Sequence, residues 1–180
     1  MRGELLNTKN ELEIFAGNVV GKAKNNLKRK NKLASKNLYN SIDYKLKQDK
    51  TGLFLTFEAE DYWEFIDYGV KGVGGKKADG TEWKKKKVNN SRFKYKTKRP
   101  KTIYLNGWTI RKGIAPRDKS GKFMKRKSLL HAISTSIFHT GLETTSFYSK
   151  PIEEELKTLP EELIEAYSID LDAFLKEKVL

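Results

Sequence analysis

Apolar side chains recur every three or four positions through the first thirty residues, which is the spacing of one face of a helix. The pattern predicts a long helix from about Glu4 to Lys28. Its apolar stripe consists of Leu5, Leu12, Phe15, Ala16, Val19, Ala23 and Leu27. Gly17 and Gly21 weaken the helix, and two glycines one turn apart either admit another backbone closely or are simply tolerated.

After this helix the period of the pattern shortens to two, which indicates β-strands. Ser35 is expected to cap a short helix, and apolar and polar residues then alternate from Ile42 to Leu46. Alternation resumes from Leu53 to Ala59, beyond a turn-rich segment at residues 48–52. The two runs therefore predict a β-hairpin.

A second hairpin is predicted between Lys101 and Lys112. Asn106 and Gly107 separate two β-prone runs, and their tolerance of positive backbone angles favours a type I′ turn between two strands. Together the two hairpins supply about four antiparallel strands.

The segment from Glu60 to Val70 concentrates aromatic and acidic residues just before a glycine. Its apolar residues follow helical spacing, and the glycine supplies a left-handed stop for a short helix. The expected core anchor consists of Tyr62, Phe65, Ile66 and Gly69. Glu64 and Asp67 are expected to point away from that apolar face.

The last third of the chain returns to helical spacing. One apolar face is expected from Leu129 to Phe138 and ends at Gly141. A second face runs from Ile152 to Tyr167, and Pro160 interrupts it because proline lacks a backbone donor and clashes one turn back. We expect a break just before this proline, which then starts a new turn, and a final short helix after Asp170.

These elements predict an α+β fold in which the long N-terminal helix and the C-terminal helices pack on a small antiparallel sheet. A chain of 180 residues fits one domain with an extension, and its hydrophobic content of 37% is low enough that part of it lies outside the core. We expect a single domain over residues 1–180, with the core formed by residues 1–70 and 101–180. Residues 71–100 are expected to be a basic extended arm inserted in it.

Positive charge is confined to the middle of the chain. Residues 71–127 carry 21 basic and 3 acidic side chains, whereas the segments before and after have net charges of +2 and −6. Near residues 92–99 cations alternate with aromatic or polar residues, so one face of an extended segment would be almost wholly basic. The candidate contacts for DNA or a neighbouring subunit are Lys84, Lys85, Lys86, Lys87, Arg92, Lys94, Lys96, Lys98, Arg99 and Lys101.

Such a density of lysine and arginine favours a polyanion or an acidic protein as the partner. The alternative for any single lysine is that it is merely solvated. Trp83, Phe93 and Tyr95 lie among the cations, where they either stack on the bases of a single strand or pin the arm to a neighbouring subunit. We favour the second interpretation.

A cluster of carboxylates precedes the basic segment. Because it complements the lysines of a second copy, it favours self-assembly. The expected acidic contacts between subunits are Glu58, Glu60, Asp61, Glu64 and Asp67.

The sequence has no catalytic or cofactor signature. Glu82 and Lys84 after the acidic cluster superficially match a nuclease metal site, but residues 79–87 lack the buried apolar strand on which such a site rests. His131 and His139 share a helical face, with no third ligand near them in the sequence. We therefore expect no enzyme activity, no metal and no cofactor.

Cysteine is absent, and the chain shows neither a signal-peptide pattern nor an apolar run of membrane-spanning length. These features predict a soluble protein that assembles inside a cell, without a membrane partner.

Four short motifs occur in a distinctive order along the chain. They are Ser35-Lys-Asn-Leu-Tyr-Asn-Ser-Ile42, Tyr62-Trp-Glu-Phe-Ile-Asp-Tyr-Gly69, Trp108-Thr-Ile-Arg-Lys-Gly113 and Gly141-Leu-Glu-Thr-Thr-Ser-Phe147. In this order, with a long helix before the first motif and a hairpin before the second, the chain resembles the head–tail joining or tail-completion (neck) proteins of tailed bacteriophages.

The resemblance implies a structural virion protein that forms part of a head–tail connector ring of six or twelve copies. Its partners would be the portal or adaptor, the tail proteins and the double-stranded DNA in the channel. The resemblance places it in the neck of the virion after assembly in the cytoplasm of a bacterial host. A stand-alone basic nucleic-acid-binding module is the alternative that the residues leave open.

Overall fold

The computed structural model describes residues 5–115, 117 and 120–179, which contain seven helices and four strands. In chain order these are α1 (Leu6–Arg29), α2 (Asn37–Ser41), β1 (Asp43–Gln48), β2 (Leu53–Glu58), α3 (Trp63–Asp67), β3 (Val70–Lys71), α4 (Thr102–Arg111), α5 (Arg126–Thr140), β4 (Gly141–Leu142), α6 (Ser149–Glu155) and α7 (Leu159–Val179). The predicted α+β class is confirmed. Among the described residues the strands form two separate two-stranded sheets, and the single sheet of about four strands is not found. None of the described helices is both long enough and apolar enough to span a bilayer.

The chain divides into two compact units. Unit 1 comprises residues 1–30, 37–60 and 147–180, and unit 2 comprises residues 31–36 and 61–146. This division differs from the sequence prediction, which had a single core with residues 71–100 inserted as an arm. Residues 71–100 instead belong to unit 2.

Unit 1 is built on α1, which spans the predicted helix and buries the predicted stripe. Phe15 lies edge-on to Phe57 of β2, with their ring centres 6.1 Å apart, and Phe57 in turn lies 5.9 Å from Tyr148. The residues of α1 that are buried in this core are Phe15, Ala16, Val19, Ala23 and Leu27. Burial of one apolar face along six turns is what stabilises a helix that carries two glycines.

The first predicted hairpin is confirmed. Strands β1 and β2 pair antiparallel, with Tyr44 opposite Phe57 and Leu46 opposite Leu55. The turn between them is closed by Asp49, whose Oδ1 accepts a hydrogen bond from the backbone N–H of Thr51 at 2.6 Å. An aspartate that bonds the backbone two residues on is a common way to stabilise a tight turn.

The C-terminal helices begin and end almost where proline and glycine indicate. Helix α5 ends at Thr140, and Gly141 follows it with a φ of 86°, as predicted. The predicted break before Pro160 is present, since α6 ends at Glu155 and Pro160 is the second residue of α7. The expected separate helix after Asp170 is wrong, because α7 continues through this residue to Val179.

The second predicted hairpin is also wrong, since residues 102–111 form helix α4. Asn106 and Gly107 lie inside this helix, where the polar groups of Asn106 are hydrogen-bonded. The side-chain oxygen of Asn106 accepts a hydrogen bond from Nε of Arg126 at 2.6 Å, and its carbonyl accepts one from the hydroxyl of Thr109 at 2.8 Å. Leu105, Trp108 and Thr109 face inward with helical spacing, a period that the local alternation had concealed.

The core anchor is only partly as predicted. Helix α3 ends at Asp67 and is followed by Gly69 with a φ of 73°, which confirms the left-handed stop. Tyr62 and Phe65 are 38% and 43% exposed, however, while Asp67 is completely buried. The reason is that residues 144–146 pack against the end of α3 and bond its backbone, for example from the N–H groups of Thr145 and Ser146 to the carbonyl of Asp67 at 3.0 and 2.9 Å.

Candidate polyanion-binding surface

The two units differ strongly in charge. Unit 1 carries 14 basic and 16 acidic residues, whereas unit 2 carries 23 basic and 7 acidic residues, a net charge of +16. Nearly all lysines and arginines that the structure describes in unit 2 are exposed. A surface with this excess of one sign attracts a polyanion from a distance and is sensitive to ionic strength.

A short extended segment at residues 91–95 carries part of this charge on a fixed backbone. It runs parallel to β3, with the N–H of Lys71 bonded to the carbonyl of Phe93 and the N–H of Tyr95 bonded to the carbonyl of Lys71, both at 2.9 Å. At its start, the buried hydroxyl of Ser91 donates to the carbonyl of Gly69 at 2.6 Å. These bonds fix which way each side chain of the segment points.

The side chains of this segment alternate between the interior of unit 2 and its surface. Phe93 packs against Phe65 of α3, with ring centres 4.6 Å apart, and Tyr95 packs against Phe138 of α5 at 5.9 Å. Burial raises the pKa of the Tyr95 hydroxyl. The residues that alternate with these rings, and whose side chains are exposed, are Arg92, Lys94 and Lys96. The predicted alternation of cations and rings is therefore an alternation of surface and packing positions.

The lysine run at residues 84–87 is also held by its backbone. The N–H of Lys86 donates to the carbonyl of Thr140 at the end of α5 at 2.8 Å, and the carbonyl of Lys87 accepts from the N–H of Thr144 at 3.2 Å. All four lysine side chains are exposed. Because the main chain is bonded to its own unit, the backbone positions from which these lysines project are fixed.

Trp83 fixes the beginning of the lysine run. Its ring stacks on the imidazole of His139, with centres 5.1 Å apart and planes 7° from parallel, and Nζ of Lys77 lies 5.5 Å from the ring centre. Nδ1 of His139 donates to the carbonyl of Gly74 at 2.6 Å. The stack therefore joins residues 74–83 to His139 of α5, which is distant in the sequence.

The three aromatic residues among the cations are thus engaged within unit 2, where each packs on another ring. They pin the basic segment to its own unit. This differs from both roles considered for them, which were the stacking of bases and the pinning of an arm to a neighbouring subunit.

Arg99 and Lys101 flank Pro100 at the end of the basic segment. The guanidinium of Arg99 donates to the hydroxyl of Thr135 at 3.1 Å and lies 5.8 Å from the ring centre of Phe138. The carbonyl of Pro100 accepts from the hydroxyl of Ser134 at 2.6 Å. The chain at this point is held against α5, and the side chains of Lys98, Arg99 and Lys101 remain exposed.

Few of these cations are neutralised inside the molecule. Arg92 forms an ion pair with Glu64, with Nη2 at 2.8 Å from each carboxylate oxygen. Among the described residues, none of the ion pairs includes a lysine of the predicted contact set. Exposed cations that lack an internal partner are the ones available to an external anion.

The predicted acidic contacts are divided between the two units. Glu58 forms an ion pair with Lys45 at 2.5 Å in unit 1, to which Glu60 also belongs. Asp61 and Glu64 belong to unit 2. Asp67 is completely buried and cannot meet a neighbouring subunit, so its predicted role as an acidic contact is wrong.

No three histidine, cysteine, aspartate or glutamate side chains of the described residues lie close enough together to bind a metal ion. His139 stacks on Trp83, and the ring of His131 lies near Arg99, with Nε2 3.4 Å from the guanidinium nitrogen.

Sequence reasoning missed the residues that hold the surface in place. Lys71 acts through its backbone, and His139 acts through its ring, which contacts a tryptophan 56 positions earlier in the chain. Neither role has a local sequence signal, because each depends on a partner that only the fold supplies.

Comparison of the chain with family models, with curated proteins and with solved structures finds no match.

Proposed function

We propose that this chain is a structural subunit of the neck of a tailed bacteriophage, and that unit 2 contacts the phosphates of the double-stranded DNA that passes through the connector. One observation carries the DNA contact: the cations at residues 84–87 and 92–96 are exposed on backbone that is bonded to its own unit. A surface that is already ordered loses little conformational entropy when it binds.

The type of contact follows from the chemistry of the side chains. Lysine and arginine bind phosphate oxygens without reading the base sequence, and their number sets the salt dependence of binding. The rings that would be needed to stack on single-stranded bases are already packed within unit 2. Duplex DNA is therefore the favoured form of nucleic acid.

The neck assignment rests on the order of the four motifs, and the glycines of two of them lie in turns that approach each other. The second motif ends in the turn at Gly69 that follows α3, and the fourth begins at Gly141, which ends α5. The backbones of these two turns approach so closely that an ideal Cβ at Gly69 would lie 2.5 Å from the carbonyl oxygen of Leu142. Glycine at these positions of the motifs thus has a steric reason.

The DNA contact is tested by measuring binding of the full chain to random-sequence duplex DNA over a range of salt concentrations. The variant replaces Lys84, Lys85, Lys86 and Lys87 with glutamine. The slope of log affinity against log salt should become shallower by about 0.9 for each phosphate contact that is lost.

A matched control removes the same amount of charge from unit 1. Lys47, Lys50, Lys157 and Lys176 are exposed there, and glutamine at all four positions should leave the salt slope nearly unchanged. Equal losses of affinity in the two variants would mean that only net charge matters, and the proposed surface would then be abandoned.

The neck assignment needs a separate test on particles. Purified virions of a phage that encodes this chain should contain it in a fixed number of copies, and antibody labelling should place it between head and tail. Its absence from the particles would refute the neck assignment. Salt-sensitive duplex binding without particle association would instead favour the stand-alone nucleic-acid-binding module.

A further inference from the structure

Helix α7 has apolar side chains on two sides. Its inner side contributes Leu159, Ala166 and Asp170 to the interior of unit 1. Its outer side carries a second apolar row, and these residues are 43–68% exposed. The outer row consists of Ile164, Tyr167, Leu171 and Leu175. A helix with an apolar row on each side is characteristic of one that is covered in an assembly.

Acidic residues follow one edge of this outer row. Glu161, Glu165 and Asp172 are exposed and lie at intervals of four and seven positions, which places them on one line along the helix. From the first to the last of these carboxylates the helix rises about 16 Å, at 1.5 Å per residue. The outer side of α7 is therefore an apolar row with an anionic edge.

Helix α4 in unit 2 presents a surface of the opposite charge. Ile103 and Tyr104 are 74% and 75% exposed, and Ile110, two turns further on, is 60% exposed. Gly107 lies between them, and an ideal Cβ there would come 3.1 Å from Nη1 of Arg111. The guanidinium of Arg111 thus lies beside the apolar residues.

Two cations accompany this α4 patch. Lys101 precedes the first turn, Arg111 ends the last turn, and both are exposed. The guanidinium of Arg111 reaches back to Gly107, so its charge lies beside the exposed apolar residues. Each patch is therefore apolar with charge beside it, and the charges of the two patches have opposite signs.

We propose that the outer row of α7 in one copy of this chain is covered by the α4 patch of a second copy. Apolar burial supplies the stabilisation, and the carboxylates of α7 meet Lys101 and Arg111 of the other copy. Two α7 rows facing each other would bring acidic edges together, and two α4 patches would bring cations together. Charge therefore selects the unlike pairing.

Such a contact is heterologous, because each copy uses one patch to bind and offers the other to the next copy. Contacts of this kind repeat until they close into a ring or extend as a filament. The pairing gives the proposed connector its subunit contact, but it does not use the cations at residues 84–87 and 92–96 on which the DNA contact rests. A failure of either proposal is therefore seen separately.

The test uses the full chain and two variants. One variant carries Ile103→Ser and Ile110→Ser in α4, and the other carries Ile164→Ser and Leu171→Ser in α7. The unmodified chain should give species larger than 20.8 kDa by light scattering or sedimentation as concentration rises. Each variant alone should remain a monomer, since it lacks one of the two patches.

Mixing the two variants provides the decisive measurement. The intact α7 of the first can bind the intact α4 of the second, so the mixture should form a one-to-one dimer and no larger species. A control with Phe54→Ser and Leu156→Ser, which replaces exposed apolar residues outside both patches, should assemble like the unmodified chain. Unchanged far-ultraviolet circular dichroism verifies that each variant is folded.

Two results would overturn the proposal. The first is an unmodified chain that stays monomeric at all concentrations. The second is that the α4 variant still self-associates, the α7 variant stays monomeric, and their mixture forms no one-to-one dimer. That outcome would mean that the α7 rows pair with each other. The lysine variant at residues 84–87 should keep its normal assembly, so loss of DNA binding and loss of assembly are distinguished.

Discussion

Asp170 of α7 caps the first turn of α1 through Thr8. One oxygen of the Asp170 carboxylate accepts hydrogen bonds from the backbone N–H and the hydroxyl of Thr8, at 2.8 and 2.7 Å. The other oxygen accepts from the backbone N–H and the side-chain amide of Asn7, at 3.0 and 2.8 Å. Leu5, at the N-cap position of α1, provides no side-chain cap, so a residue from the other end of the chain satisfies these donors.

Replacing Asp170 with alanine should lower the free energy of unfolding of the chain by about 2 kcal/mol at pH 7, the upper range for loss of a helix cap. The matched control is Glu13→Ala, which removes the same charge from an exposed position of α1 and should cost less than about 0.5 kcal/mol. Urea denaturation of the three proteins measures both values. Equal stability of the two variants would show that the cap contributes nothing.

Asp170 should also make the free energy of unfolding depend on pH in the acidic range. Burial raises the pKa of its carboxyl, but the hydrogen bonds from Thr8 and Asn7 outweigh burial and hold the pKa at about 2, below the ordinary value of 3.8. Since the folded pKa is the lower one, the contribution is complete above about pH 4 and is lost as pH falls towards 2. The difference between the unmodified chain and Asp170→Ala should therefore disappear over this interval. A difference that stays constant between pH 5 and pH 2 would contradict the role of the ionised carboxylate.

Gly69 should tolerate no side chain. Its φ is +73°, and an ideal Cβ would lie 2.5 Å from the carbonyl oxygen of Leu142 and 2.7 Å from the backbone nitrogen of Thr144. Gly69→Ala should destabilise unit 2 by more than about 2 kcal/mol, because backbone strain of about 1 kcal/mol is added to a steric clash.

Gly80 separates these two causes. Its φ is +81°, but a Cβ there would meet no atom within 4 Å, so Gly80→Ala should cost only the strain. Thermal melting followed by circular dichroism compares the two variants. A loss at Gly80 as large as the loss at Gly69 would mean that strain alone sets the effect.

Replacing Leu27 with alanine should destabilise the chain more than replacing Phe65, although phenylalanine is the larger side chain. Leu27 is completely buried in the core of unit 1, so Leu27→Ala should cost about 3 kcal/mol. Phe65 is 43% exposed and packs mainly on Phe93, so Phe65→Ala should cost about 1 kcal/mol or less. Denaturant titration gives the order directly. A larger loss at Phe65 would restore the predicted role of this residue as a core anchor.

Local patterns were sufficient where an element is specified by its own residues. The stripe of α1, the turn at Asp49 and the break before Pro160 all depend on contacts or backbone restrictions within a few positions. Each of these was predicted near its observed place. The concentration of positive charge in the middle of the chain is likewise a property of composition and needs no fold.

Other features depend on partners that are distant in the sequence. Residues 102–111 are β-prone and contain Asn-Gly, yet they form α4, where Arg126 bonds the side chain of Asn106. The buried state of Asp67 likewise depends on residues 144–146, which bring their own N–H groups to the end of α3.

The features of the polyanion-binding surface were likewise determined partly by the sequence and partly by the tertiary structure. The sequence determined which residues are cationic, and that rings alternate with them. Only the tertiary structure decided that Phe93 packs on Phe65, 28 positions earlier, and that Tyr95 packs on Phe138 of α5. The physical reason is that hydrophobic burial is non-directional and gains the same free energy from a neighbour or from a distant residue. A local pattern therefore shows that a ring will be buried, but the complete fold selects the partner and with it the side on which the charges lie.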